Sequence, residues 1–278
     1  MGLKRKVLKM MNYFRKKRVV SIPAVVGNDT MLEGKTVFIT GGSGGIGMAM
    51  ARKMLSVGAN VILSGTKEEK LKKCVSELGY SADRLQYLVL NLSDVASFQA
   101  KCEEAAKLFP GPINVLINSA GVIGKHSFLE TTEKEFDDVF NVNVKGTFFI
   151  SQAFAKYFIE NHVKGKILNV SSSSALRPAW GPYQMSKWAI RGFTVGLADK
   201  LLPHDIVVNA IAPGPTATSM LGKQDREDLS LPSSPIGRYT TPEEIAELAA
   251  VLVSDLGNIV IGDTLYATGG SGVTTLHR

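Results

Sequence analysis

The stretch KTVFITGGSGGIG, residues 35–47, joins a short apolar run to a glycine-rich turn. The run Thr36–Ile39 predicts a buried strand, and the residues from Ile46 onward predict a helix. Backbone N–H groups at the start of such a helix bind phosphate, assisted by the positive end of the helix dipole. Glycines let a pyrophosphate approach the backbone closely. The stretch therefore predicts a dinucleotide site, although a glycine-rich turn alone is also typical of an ordinary tight turn.

The rest of the chain continues this alternation of strand and helix. Apolar runs predict seven strands, at residues 36–39, 60–63, 85–90, 114–117, 166–170, 206–211 and 259–267. Amphipathic stretches predict six helices, at residues 46–57, 67–78, 95–108, 133–160, 183–202 and 242–253. Thr-x-x-Glu sequences at 132 and 241 predict two capped helix starts. Because strands that are apolar throughout form parallel sheets covered on both faces, we expect one α/β domain over residues 31–278. Its predicted fold is a doubly wound, Rossmann-type parallel sheet of seven strands.

The composition is compatible with such a domain. The chain has 278 residues, of which 45% are apolar, as expected for one domain with a large core. Cys74 and Cys102 lie in polar, helix-like segments without metal-ligand spacing, so a reducing compartment is favoured over a disulfide. The four histidines are scattered too, and no metal site is predicted. No apolar run approaches the ~20 residues of a membrane-spanning helix, and a cytoplasmic protein is expected.

The net charge of +7 belongs to the first 30 residues. They contain eight lysines and arginines against a single aspartate, and residues 31–278 are balanced. A balanced body has no surplus of basic residues for binding a nucleic-acid backbone, so no nucleic-acid partner is expected. Residues 1–30 are predicted to be a basic extension that ends in a linker.

This extension also has an amphipathic pattern. Its apolar residues fall on one face of a helical wheel: Leu3, Val7, Met10, Met11 and Phe14. A basic amphipathic helix suits an anionic membrane surface, so residues 1–20 predict peripheral membrane contact. The same pattern is compatible with an organelle-targeting peptide, a disordered arm or an oligomer contact.

The second informative stretch is KILNVSSSSALRPAWGPYQMSKWAIR, residues 166–191. Its strand ends in four serines, at the sheet edge where ligands of open α/β sheets bind. Tyr183 and Lys187 follow with i, i+4 spacing, which places both side chains on one face of a helix. Two solvated side chains would show the same spacing. Its occurrence after the serine strand and the glycine-rich turn favours a catalytic pair.

Three motifs together resemble the short-chain dehydrogenase/reductase family. They are the spacing TGGSGGIG at residues 40–47, the sequence NSAG at 118–121, and the Tyr183/Lys187 pair. The resemblance covers nearly all of residues 33–270. Within the family, the nearest broad resemblance is to 3-oxoacyl-(acyl-carrier-protein) reductases. It implies an NAD(P)-dependent oxidoreductase that interconverts a ketone and a secondary alcohol by hydride transfer. It also implies a small-molecule substrate and a homodimer or homotetramer.

The resemblance implies four catalytic residues, Asn143, Ser172, Tyr183 and Lys187. A phenol, with a reference pKa of about 10, acts as general acid and base near neutrality only if its anion is stabilised. Lys187 supplies that charge, and the serine polarises the substrate oxygen. Asn143 would anchor a water in the proton relay. Ser172 lies eleven residues before the tyrosine instead of the family's usual thirteen, so Ser173 and Ser174 remain alternatives.

The resemblance also implies a cofactor site. It would be formed by Gly41, Ser43, Gly45, Ile46, Gly47, Thr66, Lys67, Asn91, Leu92, Asn118, Ala120, Gly121, Tyr183, Lys187, Pro213, Gly214, Thr216 and Thr218. After the second strand no carboxylate occurs before Glu68, and Lys67 occupies a position where a basic residue accommodates a 2′-phosphate. NADP(H) is therefore favoured over NAD(H). Gly44 stands where some relatives have a second basic residue, and Lys67 could equally be an exposed lysine of the helix start.

Other functions are compatible with parts of this pattern. A hydroxysteroid or sugar dehydrogenase of the same family would have the same motifs, with the polar segment 215–238 as its substrate lid. A non-catalytic, nucleotide-binding regulatory protein could share the fold. The presence of Asn143, Tyr183 and Lys187 argues against that alternative.

Overall fold

The computed structural model describes residues 28–223 and 228–274 of the chain. The predicted amphipathic helix within residues 1–20, and most of the predicted extension, lie outside the described residues. None of the helices in the described part has the length and apolar character needed to span a bilayer.

A single parallel sheet organises the described residues. Its seven strands are β1 (Thr36–Thr40), β2 (Asn60–Gly65), β3 (Leu85–Val89), β4 (Ile113–Asn118), β5 (Lys166–Val170), β6 (Val207–Pro213) and β7 (Thr264–Ala267). Their spatial order is β3-β2-β1-β4-β5-β6-β7, and every pair is parallel. The chain winds outward from β1 in one direction and then, from β4, in the other. This reversal creates a crevice at the carboxyl ends of β1 and β4, where such folds bind ligands. The predicted fold class is confirmed.

Seven α-helices cover the two faces of the sheet in the described part of the chain. They are α1 (Gly45–Ser56), α2 (Glu68–Leu78), α3 (Phe98–Ala105), α4 (Glu133–Phe140), α5 (Thr147–Glu160), α6 (Pro182–Leu201) and α7 (Pro242–Val253). The continuous helix predicted over residues 133–160 is interrupted, because Asn141–Gly146 forms a π-helical turn between α4 and α5. Hydrophobic periodicity does not register such a turn, since both flanking segments keep their own apolar faces.

The last predicted strand is shorter in the structure. A 3-10 turn occupies Asp255–Ile259, and β7 begins only at Thr264. Gly262 between them has a left-handed backbone with φ of 70°, which a strand cannot accommodate. The apolar run in this region therefore contains a turn and a strand.

Alternate residues of the central strands feed two separate cores. Val37, Ile39 and Val61 belong to the core on the α1/α7 face, whereas Phe38 and Ile62 belong to the core on the α3/α5 face. Fully apolar strands are required because both faces are covered. Cys74 lies in the first core and Cys102 in the second, so the sheet separates these two free thiols. Burial raises the pKa of the Cys102 thiol to about 12.

The two Thr-x-x-Glu sequences do start helices, in different ways. Thr241 and Glu244 form a reciprocal capping box at α7. At α4 the Thr132 hydroxyl accepts a hydrogen bond from the Glu135 N–H at 3.2 Å. The Glu135 carboxylate instead accepts hydrogen bonds from the His126 ring and from the backbone N–H of Lys125. It thereby fixes the loop between β4 and α4 that borders the crevice.

Candidate active site

Two adjoining cavities lie at the carboxyl edge of the sheet. The first, called here the nucleotide cleft, has a volume of about 440 Å³ and runs from the glycine-rich turn to the ends of β2 and β3. The second, called the reaction cavity, measures about 430 Å³ and lies over the ends of β5 and β6. Ile46, Ser119, Gly121, Thr218 and Met220 border both. The two cavities are therefore neighbours along one wall.

The glycine-rich turn forms the floor of the nucleotide cleft. Gly41 has φ of 65°, and a Cβ at Gly47 would lie 2.3 Å from the Gly41 carbonyl oxygen. Both positions therefore exclude side chains. The first turn of α1 begins at Gly45, and no side chain caps it. Its N–H groups thus face the cleft with free donors, which suits the pyrophosphate of a dinucleotide.

The far end of the nucleotide cleft differs from the sequence-based prediction. Ser64, Gly65 and Thr66 line it as β2 ends, followed by Lys70. Lys67 does not line the cleft; it is exposed at the N-cap of α2. Among the described residues that line this cleft there is no aspartate or glutamate. The single lysine of the described lining is therefore one turn further along the helix than the sequence suggested.

The remaining predicted cofactor residues fall into three groups. Ser43, Asn91, Leu92, Ala120 and Gly121 line the nucleotide cleft together with the glycines of the turn. The predicted residues that border only the reaction cavity are Tyr183, Lys187, Pro213, Gly214 and Thr216. Asn118 lines neither cavity.

Asn118 belongs to the support beneath the crevice. Its side chain is 3% exposed and donates to Ser151 Oγ and Asn169 Oδ1, both at 2.9 Å. Asn169 in turn donates to Thr194 Oγ1 at 3.0 Å. These bonds join β4 and β5 to α5 and α6, so the structure places Asn118 behind the site rather than in it.

Tyr183, Lys187 and Ser172 meet in the reaction cavity. Lys187 Nζ lies 5.6 Å from the centre of the Tyr183 ring and donates a hydrogen bond to the Val170 carbonyl at 2.9 Å. Burial raises the pKa of Tyr183, and a hydrogen bond with Ser172 opposes that rise. Burial also lowers the pKa of Lys187 to about 8. The phenol is thus protonated near neutrality, and the lysine beside it has a pKa close to physiological pH.

The four serines have different environments. The Ser172 side chain forms a hydrogen bond with Tyr183, and its hydroxyl also accepts a hydrogen bond from the Ser174 N–H at 3.1 Å. Ser171 is buried and donates to the Lys187 carbonyl at 3.2 Å. Ser173 is buried at the start of a 3-10 turn. Among these serines the geometry favours Ser172, despite its shortened distance in sequence from the tyrosine.

Asn143 is fixed by a buried serine that the sequence did not single out. Its amide accepts the Val122 N–H and donates to the Val122 carbonyl, each at 2.9 Å. It also donates to Ser186 Oγ at 3.0 Å, and Ser186 donates to the Tyr183 carbonyl at 2.6 Å. Ser186, which is 0% exposed, therefore connects the π turn to the tyrosine helix. Its i, i+3 spacing from Tyr183 was the available sequence signal.

This combination of an uncapped glycine-rich helix start with a half-buried tyrosine beside a buried lysine is typical of a nucleotide-dependent oxidoreductase. The short chain dehydrogenase family model matches residues 35–229. The chain is 34% identical to 2-dehydro-3-deoxy-D-gluconate 5-dehydrogenase of Dickeya dadantii, over 87% of this chain and 97% of the relative. It is 32% identical to the 3-oxoacyl-(acyl-carrier-protein) reductase FabG of Aquifex aeolicus, over 86% of this chain and 98% of the relative.

A solved structure is similar over the same region. A variant of actinorhodin polyketide ketoreductase, solved with NADPH, matches with a TM-score of 0.77 and 27% identity, covering 90% of this chain and all of that one. The chain belongs to the short-chain dehydrogenase/reductase family and resembles its 3-oxoacyl reductases. It is an NAD(P)-dependent oxidoreductase that interconverts ketones and secondary alcohols, and its substrate is a small molecule.

Proposed function

We propose that the chain is an NADP(H)-preferring carbonyl reductase in which Tyr183 exchanges the proton with the substrate oxygen. The observation that carries this proposal is the meeting of Ser172, Tyr183 and Lys187 in the reaction cavity, which adjoins the nucleotide cleft. When bound, the nicotinamide supplies or accepts the hydride. The side chains described below orient the carbonyl and handle its proton.

The proton moves through Tyr183. Ser172 holds the carbonyl oxygen beside the phenol, so both hydroxyls stabilise the negative charge that develops there. Tyr183 then donates its proton to that oxygen. The Lys187 ammonium stabilises the resulting phenolate, which the buried setting otherwise disfavours. Oxidation of an alcohol uses the same groups in reverse.

Asn143 would complete the proton path. Both hydrogens of its amide nitrogen are engaged, with the Val122 carbonyl and Ser186 Oγ, and its oxygen accepts the Val122 N–H, so the side chain positions the π turn. The implied relay water would then contact the backbone of that turn or donate to the second lone pair of Asn143 Oδ1, since the amide nitrogen has no hydrogen left. This role distinguishes Asn143 as a positioning residue from the three residues that touch the reacting atoms.

The preference for NADP(H) follows from the charge of the nucleotide cleft. A 2′-phosphate is repelled by the carboxylate that selects NAD(H), and the described lining contains no carboxylate. Lys70 supplies a positive charge at this end, and Thr66 lines the same cleft. We assign the phosphate contact to Lys70, and we retain Lys67 as an exposed neighbour with a weaker effect through solvent. The presence of NADPH with the similar ketoreductase is compatible with this preference.

The test compares two lysines that differ in placement and not in charge. Lys70→Gln should weaken NADPH binding by about 10–100-fold and leave NADH binding nearly unchanged, because only NADPH carries the phosphate. Lys67→Gln is the matched control and should change the NADPH/NADH ratio less than threefold. Dissociation constants from nucleotide fluorescence give both ratios. Equal losses for NADPH and NADH in Lys70→Gln, or a larger effect at Lys67, would contradict the assignment.

Two related functions share the same chemistry. Relatives act on a deoxygluconate and on 3-oxoacyl groups, by their names, and a 3alpha-hydroxysteroid dehydrogenase of Mediterraneibacter gnavus is 34% identical. A hydroxysteroid or sugar dehydrogenase therefore remains the alternative enzyme. The assembled Ser172–Tyr183–Lys187 group argues against a non-catalytic regulatory protein.

We also propose that the enzyme is a homodimer or homotetramer. Large apolar side chains are exposed on α5 and α6, among them Phe148, Trp188 and Val195, as at interfaces between subunits. Peripheral membrane contact through residues 1–20 stays a prediction. Deleting those residues should release the protein from anionic vesicles without loss of turnover.

A further inference from the structure

The reaction cavity carries a positive charge that the proposed chemistry does not use. Two cations line it, Lys187 and Arg177, and its described lining contains no aspartate or glutamate. Lys187 is committed to Tyr183 and to the Val170 carbonyl. Arg177 has no role in the proton path. It is also the only charged residue between the strand β5 and Lys187.

Arg177 is solvent-exposed, and three contacts restrain it. Its carbonyl accepts the Trp188 indole N–H at 2.9 Å, and its guanidinium donates to Ser271 Oγ at 2.6 Å. A Cβ at Gly272 would lie 3.2 Å from its Nε, so the C-terminal segment packs closely against the side chain. These contacts restrict the side chain at the cavity wall, which reduces the entropy lost when it binds a ligand.

The guanidinium lacks the carboxylate partner that Arg238 and Arg52 have. Arg238 pairs with Glu244 and Arg52 pairs with Glu77. Within the described residues Arg177 forms no ion pair, and a neutral hydroxyl is the one side-chain group bound to it. An arginine fork binds a planar or tetrahedral anion through two parallel hydrogen bonds. A fixed fork in a substrate cavity without competing carboxylates is suited to such an anion.

We propose that Arg177 binds an anionic group of the substrate, a carboxylate or a phosphate, and thereby makes the enzyme selective for anionic ketones. This inference rests on the proposed reductase function and names its substrate class. The anion on Arg177 orients the molecule, and the ketone carbonyl lies against Ser172 and Tyr183. The proton and hydride chemistry is unchanged.

The test uses pairs of ketones, one anionic and one neutral; the acid and amide pairs are nearly equal in size, and the third pair differs by a phosphoryl group. Wild-type enzyme with NADPH is given 4-oxopentanoate against 4-oxopentanamide, 3-oxobutanoate against 3-oxobutanamide, and dihydroxyacetone phosphate against dihydroxyacetone. At least one anion should be preferred in kcat/KM, and Arg177→Gln should reduce that preference by about 10–100-fold. Arg177→Lys should retain part of it, because a lysine keeps the charge and loses the fork. The pair that shows the effect identifies the anion as carboxylate or phosphate.

The control is a second arginine that holds the same loop. Arg191 donates to the Ala175 carbonyl at 3.4 Å and lies outside the described lining of the reaction cavity. Arg191→Gln should leave the preference for the anion unchanged, and NADPH affinity should be equal in all variants. If wild type reduces neutral and anionic ketones equally, or if Arg177→Gln keeps the preference, the role of Arg177 is overturned and the reductase function stands.

A separate measurement covers the case in which no ketone turns over. Pentanoate and pentanamide are then titrated into the NADPH complex by calorimetry. Pentanoate should bind at least tenfold more tightly to wild type, and Arg177→Gln should remove the difference. Absence of turnover together with this result overturns the reductase function and leaves the anion site. Equal binding of the acid and the amide by wild type overturns the anion site.

Discussion

The nucleotide cleft and the reaction cavity share one sheet edge, but they are built from different groups. The cleft is largely backbone: the glycine-rich turn, the start of α1 and the small residues after β4. The cavity depends on side chains that hold one another, such as Tyr183 with Ser172 in its lining and Asn143 with Ser186, which support the tyrosine helix from outside that lining. Added atoms should therefore damage the cleft, whereas removed atoms should damage the cavity.

The largest expected effect on activity comes from removing one oxygen, the Tyr183 hydroxyl, from the reaction cavity. Tyr183→Phe should lower kcat by about 10²–10⁴-fold, because the proton donor is gone. NADPH affinity should stay within threefold of wild type. The measurement is turnover at the nicotinamide absorbance, with nucleotide binding determined in parallel. Tyr87→Phe removes a hydroxyl that bonds to Glu68 on the surface and should be fully active. A Tyr183→Phe enzyme with substantial turnover would refute the proton-donor role.

The second largest effect, on NADPH binding, is expected from adding one carbon to the nucleotide cleft. A Cβ at Gly47 would lie 2.3 Å from a backbone oxygen, and backbone cannot yield as a side chain does. Gly47→Ala should therefore weaken NADPH binding by at least about 10²-fold, through displacement of the phosphate-binding turn. Gly192→Ala is the control, because nothing lies within 4 Å of that Cβ. Unaltered NADPH affinity in Gly47→Ala would show that the turn can move.

The smallest effect concerns the buried serine between Asn143 and Tyr183. Ser186→Ala leaves the Asn143 amide and the Tyr183 carbonyl each without one partner. We expect kcat to fall about tenfold with KM and NADPH affinity unchanged, because positioning and not binding is affected. Ser56→Ala, which removes an exposed hydroxyl bonded to a backbone carbonyl, should be neutral. If Ser186→Ala lowers only stability, Ser186 is a packing residue.

Much of this contrast was accessible from the sequence. The strands, the glycine-rich turn and the Tyr183/Lys187 pair could be predicted, because each depends on a pattern of residues that are close together in the sequence. The sheet order and the position of the crevice follow from the family and from the rules of doubly wound folds. The boundaries of β7 did not follow, because the left-handed glycine inside its apolar run leaves hydrophobicity unchanged.

What the sequence missed depends on the directions of side chains. Lys67 and Lys70 are both basic residues at the start of one helix, but Lys67 is the N-cap with an extended backbone, and only Lys70, inside the first turn, lines the cleft. Asn118 lies in a motif typical of the cofactor site, yet its side chain turns to the buried amide of Asn169. Arg177 is distant in sequence from Ser271, the residue that orients it. Such relations exist only once the chain has folded.

The π-helical turn Asn141–Gly146 changes the direction in which the side chains of α5 point relative to those of α4. An α-helix rotates by about 100° per residue, so one extra residue shifts the azimuth of everything beyond it. In α5 the aromatic residues Phe154 and Phe158 must face the core, whereas Asn143 must face Ser186. A regular helix would tie these two directions together. The extra residue of the π turn uncouples these two directions. After a single-residue deletion in this turn, a regular helix could not direct Phe154 and Phe158 to the core and Asn143 to Ser186 at the same time.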